Sequence, residues 1–147
     1  GGIVRYDFLP TKIFNEYDAH LVFTGVTRNS KNVLKSISDN IDKAVPLLDT
    51  LNEAYEVLKN EDYPEFFNLL NRSWIEKKST SSAITENVSI QTIDDNLNKN
   101  ETVISHKLCG AGNGGFFLVF SKKDTLKIPY ESVKIEVESN GVIGNRL

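Results

Sequence analysis

Lys107-Leu108-Cys109-Gly110-Ala111-Gly112-Asn113-Gly114-Gly115-Phe116-Phe117-Leu118-Val119-Phe120 is the stretch on which the fold turns. Four of the chain's nine glycines fall between positions 110 and 115. Glycine at that density costs backbone entropy, so it marks a place where φ must be positive or where something approaches the backbone closely. Consecutive residues of this kind can aim their N–H groups at one anion. Read literally, Gly110-x-Gly112-x-x-Gly115 satisfies a dinucleotide-binding fingerprint, which requires a strand before it and a helix after it. Phe116 to Phe120 is instead a run of large apolar strand formers, and Val103 to Cys109 is strand-like too. The loop therefore joins two strands, and the dinucleotide reading falls.

Protein kinases also place a glycine-rich loop between two strands. They need a strand lysine, an H-R-D loop and a D-F-G segment downstream, and none of these follows Gly115. A plain hairpin needs one or two glycines at its turn, not four.

Lys-x-x-Gly-Ala-Gly-x-Gly-Gly-Phe, residues 107–116, resembles the third motif of the GHMP kinases, the superfamily of galactokinase, homoserine kinase and mevalonate kinase. Leu21-Val22-Phe23-Thr24-Gly25-Val26-Thr27-Arg28 resembles the L-x-x-T-G-x-[ST]-R segment of the branch acting on heptose 7-phosphate or fucose. Ser73-Trp74-Ile75-Glu76-Lys77-Lys78 resembles that branch's W-x-x-K-K helix. The resemblance covers residues 1 to 138, and it implies a ferredoxin-like C-terminal domain with extra helices. The family's glycine-rich run ahead of the motif lysine is replaced here by Thr102-Val103-Ile104-Ser105-His106, and Asn113 takes a glycine position. Asn enters the left-handed region more readily than most residues. The ATP segment P-x-x-x-G-L-x-S-S does not occur in the sequence. Gly1-Gly2-Ile3 resembles the F-G-G that follows the family's catalytic aspartate, the alternative being a tag remnant. The expectation is thus a domain over 1–147 that lacks the N-terminal ATP-binding domain and needs it as a partner.

The resemblance implies that ATP and Mg²⁺ serve the complete enzyme, that none is bound by this chain alone, and that the catalytic aspartate lies elsewhere. Gly110, Ala111, Gly112, Asn113, Gly114 and Gly115 then form the phosphate loop. Arg28, Lys77, Lys78, Lys107, Thr24 and Gly25 are the candidate substrate contacts. Arg28 offers a planar fork to a sugar's phosphate or hydroxyls, against the alternative of an exposed residue at a helix start. Lys77 and Lys78 could reach the same anion or merely suit a helix C-terminus. Lys107 could face the cleft or not. Trp74 is read as core rather than ligand platform, and Cys109 as a small core residue rather than a nucleophile.

At 147 residues, with 39% hydrophobic and 25% charged, the chain is one ordinary globular domain. A net charge of −3 argues against nucleic acid. No apolar run reaches the ~18 residues of a membrane span, and a cytoplasmic location is expected. One cysteine excludes an internal disulfide, and His20 and His106 lack partners at metal-ligand spacing, so no metal site is expected.

The element order expected is strand Ile3–Phe8, strand Ala19–Phe23, and a helix from Asn29 or Ser30 carrying Val33, Leu34, Ile37 and Ile41. A helix opened by Pro46 carries Leu47, Leu48, Leu51, Ala54, Tyr55 and Leu58. A helix opened by Pro64 carries Phe66, Phe67, Leu69, Leu70, Trp74 and Ile75. Ser79–Ser82 reads as a polar loop and Ile84–Asn98 as one helix. The two strands around the glycine loop follow, then a strand Val133–Glu138 and a last strand from Val142. This gives an α+β fold, a mainly antiparallel sheet with helices on one face, and the resemblance implies that the sheet is ferredoxin-like. Two other function classes stay open: a non-catalytic small-molecule-binding module, and a protein-interaction domain.

Overall fold

The computed structural model describes residues 12–27 and 30–137. The strands expected at Ile3–Phe8 and from Val142, together with Gly1-Gly2 and Arg28, lie outside these residues. Four strands form one sheet: β1 (Tyr17–Phe23), β2 (Ser105–Leu108), β3 (Phe116–Lys122) and β4 (Ser132–Lys134), in the order β2-β3-β1-β4. Every pairing is antiparallel. With β3 antiparallel to both β1 and β2, those two run parallel with β3 inserted between them, a split βαβ unit whose crossover is the helical middle of the chain. The fold is the α+β, ferredoxin-like arrangement expected. Strand alternation sorts the two faces. Val22, Phe117, Val119 and Leu108 share one face and one core cluster with Val33, Trp74, Ile84, Ile90, Ile93 and Leu97. Ala19 and Phe120 face the other way and meet Ile13, Tyr63 and Phe67. That second core covers one end of its face only. At the opposite end Phe23, Phe116 and Val133 are exposed.

The helices are α1 (Ile13–Glu16), α2 (Ser30–Ser38), α3 (Val45–Lys59), α4 (Tyr63–Thr80) and α5 (Val88–Lys99). Proline sits in the first turn of α3 and of α4, where its missing N–H costs nothing. The Asp62 side chain caps α4 by accepting from the Glu65 N–H at 3.3 Å. Three boundaries differ from expectation. The serine–threonine run does not stop α4 at Lys78, because the Ser79 and Thr80 hydroxyls donate back to the carbonyls of Glu76 and Lys77 and are satisfied inside the helix. Ile84–Asn98 is not one helix. A 3₁₀ turn over Ser82–Thr85 ends before extended Asn87, whose side chain accepts from Ser89 N–H at 2.9 Å and starts α5 afresh. Third, β4 is only three residues long.

α4 lies against the edge strand β2 and joins both cores. Phe67 contacts Phe120 with ring centroids 5.2 Å apart, and Trp74 meets Phe117 edge-on at 6.0 Å. Between them Asn71 donates to the Ile104 carbonyl at 3.2 Å, and Lys77 donates to that of Leu108 at 3.3 Å.

One buried carboxylate ties these layers together. Asp94 on α5 accepts from Trp74 Nε1 at 2.7 Å, from Lys78 Nζ at 2.6 Å and from His106 Nε2 at 2.7 Å. An ionised carboxylate only accepts, so His106 carries its proton on Nε2. Burial alone pushes this carboxyl up. The hydrogen bonds from His106, Lys78 and Trp74 outweigh it and hold the group at about 2, below its ordinary 3.8. A depressed folded pKa contributes stability that is fully present above the unfolded value and is lost as pH falls through the folded one. Unfolding free energy should therefore drop by about 2 kcal/mol from this group between pH 4 and pH 2. Asp94→Asn should flatten that part of the profile and cost about 3 kcal/mol at neutral pH, since it leaves buried donors without their anion. Denaturant titrations across pH measure both effects.

Candidate functional site

The glycine loop spans Cys109 to Gly115 between β2 and β3. Gly110, Gly112, Asn113, Gly114 and Gly115 all have positive φ, at 75°, 121°, 51°, 148° and 93°. This is the left-handed space that glycine enters freely and asparagine tolerates. The protein holds the loop at several points. Thr24, buried at the end of β1, donates both its N–H and its hydroxyl to the Gly115 carbonyl, at 3.0 and 2.9 Å. The Gly115 N–H returns to the Val26 carbonyl at 3.0 Å. Between these residues Gly25 turns the chain with φ 74°. At the other end, Lys77 Nζ donates to the Gly110 carbonyl. In the middle, the Asn113 N–H donates to the Ile84 carbonyl at 2.7 Å, and its side-chain oxygen accepts from Asn87 N–H at 3.3 Å.

Three separate sequence segments thus converge: Thr24-Gly25-Val26 on one end of the loop, Lys77 of the tryptophan helix on the other, and the loop itself. The N–H groups of Gly110, Ala111, Gly112 and Gly114 find no acceptor among the described residues. The carbonyls of Gly110 and Gly115, at the loop's two ends, are held by Lys77 and Thr24, and the N–H groups between them are left for an anion.

The candidate lysines divide. Lys77 is engaged with the carbonyls of Leu108 in β2 and Gly110 in the loop, and lies 5.9 Å from the Trp74 ring centroid. Lys78 turns to Asp94 and sits 5.1 Å from the same ring. Trp74 is itself buried in the core. Lys107 is half-buried, and among the described residues its Nζ reaches only Ser73 Oγ, at 3.5 Å. Cys109 is half-buried with its N–H on the Phe116 carbonyl. Arg28, two residues beyond Val26, lies outside the described residues. Among the described residues no cluster of three or more His, Cys, Asp or Glu could hold a metal ion.

Sequence reasoning missed the clasp from Ile84 and Asn87, and it missed a cleft of 490 Å³ beside the loop. Gly110, Lys77, Lys107 and Ser73 line one part of this cleft, and leucines of α3 with Leu70 and Phe66 of α4 line the rest. The α3 heptad pattern did mark those leucines as an apolar face, but nothing in the sequence said that the face borders the loop.

Close packing sets different demands on two of the glycines. A Cβ at Gly112 would meet Ile84 Cα at 3.0 Å and its Cγ2 at 3.0 Å, whereas one at Gly25 meets nothing within 4 Å. Gly25→Ala should cost about 1 kcal/mol, the backbone term alone. Gly112→Ala should cost about 3 kcal/mol, because overpacking against the 3₁₀ turn adds to the strain. Paired denaturant titrations check the ranking, and equal losses would mean the 3₁₀ turn yields freely.

Neither a protein-family model nor a curated protein sequence matches the chain. Solved structures do. L. major mevalonate kinase, determined with R-mevalonate, superposes with a TM-score of 0.54 at 17% identity, covering 72% of this chain and 34% of that one. Mevalonate kinase from methicillin-resistant Staphylococcus aureus MRSA252 gives a TM-score of 0.49 at 19% identity, over 72% of this chain and 33% of that one. The chain spans about a third of the length of these kinases. The chain's mixed helices on a four-stranded antiparallel sheet are thus a fold found within L. major mevalonate kinase.

Proposed function

We propose that the chain is the C-terminal part of a GHMP-type kinase that moves a phosphoryl group from ATP to a hydroxyl of a sugar phosphate such as heptose 7-phosphate. The observation that carries this reading is that Thr24 and Lys77 hold the two ends of the positive-φ loop in a domain with this fold. Phosphoryl transfer asks for positioning and for stabilisation of charge on the transferring group more than for covalent chemistry. Bound ATP with Mg²⁺ supplies that group. This chain's part is to present the N–H groups of Gly110, Ala111, Gly112 and Gly114 to its anionic oxygens. Thr24 and Lys77 hold the carbonyls at the loop's two ends, Gly115 and Gly110, so the loop is positioned before charge develops. Lys107, without a carboxylate partner among the described residues, adds a cation on the same side. Arg28 follows the Thr24–Val26 strap and is assigned to the sugar's own phosphate, which a guanidinium grips bidentately. The catalytic aspartate and the ATP segment are assigned to an N-terminal domain outside this sequence.

Two measurements test the reading. Incubated alone with ATP, Mg²⁺ and heptose 7-phosphate, the chain should release no ADP above background; turnover abolished by a substitution within it would overturn the assignment of the base to another domain. In the complete protein, Arg28→Ala should raise KM for the sugar phosphate by roughly ten- to a hundredfold, the worth of one charge-assisted contact, and leave KM for ATP nearly constant. Loss of ATP affinity with unchanged sugar affinity would move Arg28 to the nucleotide side and remove the heptose phosphate assignment. Failure of the complete protein to phosphorylate any of heptose 7-phosphate, fucose or mevalonate would remove the kinase reading itself.

A further inference from the structure

The 490 Å³ cleft beside the glycine loop has the wrong walls for a sugar. A sugar phosphate presents hydroxyls all round and needs a polar partner for each one it desolvates. Here Leu47, Leu48, Leu51 and Ala54 of α3 face Phe66 and Leu70 of α4 across the cleft. Its size and its apolar walls with a few convergent polar groups are those of a small-molecule site. The polar groups gather on the Ser73, Lys77, Lys107 and Gly110 side, where Lys107 Nζ has, among the described residues, only the Ser73 hydroxyl at 3.5 Å. The other charged side chains near the cleft have partners of their own, Lys77 on the carbonyls of Leu108 and Gly110. Glu76 accepts from the Thr50 hydroxyl at 2.8 Å and pairs with Arg72, which also pairs with Glu53. Leu48 and Leu51 are 61% and 64% exposed, so α3 offers water a leucine stripe that no neighbouring element covers among the described residues.

We infer that this cleft binds an amphiphilic anion, its apolar chain lying between α3 and α4 and its carboxylate or phosphate head held by Lys107 beside Gly110. The two parts of the ligand match two parts of the cleft: an alkyl chain removes the leucine stripe from water, and the head supplies the counter-charge that Lys107 lacks among the described residues. A neutral alcohol of equal length satisfies only the first, and inorganic phosphate only the second. The head would lie against the loop that the kinase reading places at the transferring phosphoryl group. Binding itself does not depend on that reading and is measured without turnover.

The test is calorimetric titration of the full chain with octanoate, octyl phosphate, octanol and inorganic phosphate. Octanoate or octyl phosphate should bind at least tenfold more tightly than octanol, and inorganic phosphate should show no saturable binding; whichever of the two anions is tighter identifies the head group. Lys107→Gln keeps the stem and removes the charge, and should weaken the preferred anion by about tenfold while leaving octanol unchanged. Leu51→Gln, at a position too exposed to threaten the fold, should weaken the anion and octanol alike by about fivefold. Equal affinity for octanoate, octyl phosphate and octanol, or no effect of Lys107→Gln on the anions, overturns the head-group assignment. No saturable binding of any octyl compound overturns the site, and that outcome leaves the phosphoryl-transfer assays to stand or fall on their own.

Discussion

The Asp94 carboxylate is the constraint on which the rest of this structure depends. It draws donors from α4 and β2 onto α5, and each donor is a different kind of group: an indole, an ammonium and an imidazole. Trp74 and Lys78 are four residues apart on α4, so their common partner fixes the rotation of that helix about its axis. Lys77 is then turned away from Asp94, toward β2 and the Gly110 carbonyl. A buried ion cluster well inside the core therefore decides which lysine reaches the loop. Such clusters cost desolvation and are weak sources of net stability, but they tolerate few alternative arrangements.

The loop shows a division of labour between its glycines. Gly115 is a structural joint, pinned through both its N–H and its carbonyl to the Thr24–Val26 strap. Gly112 makes room for the 3₁₀ turn at Ile84. Asn113 does what a glycine in its place could not, because it reaches the left-handed region and still has a side chain to accept from Asn87. Substituting asparagine for glycine here exchanges a little conformational ease for a hydrogen bond that anchors the loop to the start of α5.

Much of this could be read from the sequence, for local reasons. The glycine run between two apolar strands, proline in the first turn of α3 and α4, and the core placement of Trp74 all follow from short-range rules. The sheet order needs long-range pairing, and no local pattern encodes it; the ferredoxin-like arrangement came from resemblance. The helix expected over Ile84–Asn98 failed at Asn87, which caps rather than propagates, a role its side chain makes available but periodicity does not reveal. Two adjacent helix residues cannot both face one cleft, but nothing in the local pattern said that a buried aspartate sixteen residues from Lys78 would engage that one. The polar hub was invisible because its members come from three elements, and His106 looked isolated when only spacing along the chain was counted. Ile75 and Leu51 were assigned to apolar faces by period, yet both are exposed, since a period marks a face without saying what covers it.

The cover that α4 gives β2 has a consequence for how the sheet can grow. A bare edge strand is a template on which another chain can lay a strand. Along β2 that template is blunted by side chains, because the Asn71 amide and the Lys77 ammonium occupy the carbonyls of Ile104 and Leu108 that an incoming backbone would need. Among the described strands, only β4 presents an uncovered edge, and it is three residues long with all of them exposed. The sheet is therefore polarised like a capped filament, closed at one end by a helix. Among the described residues, strand exchange between copies of this domain has a single side on which to begin.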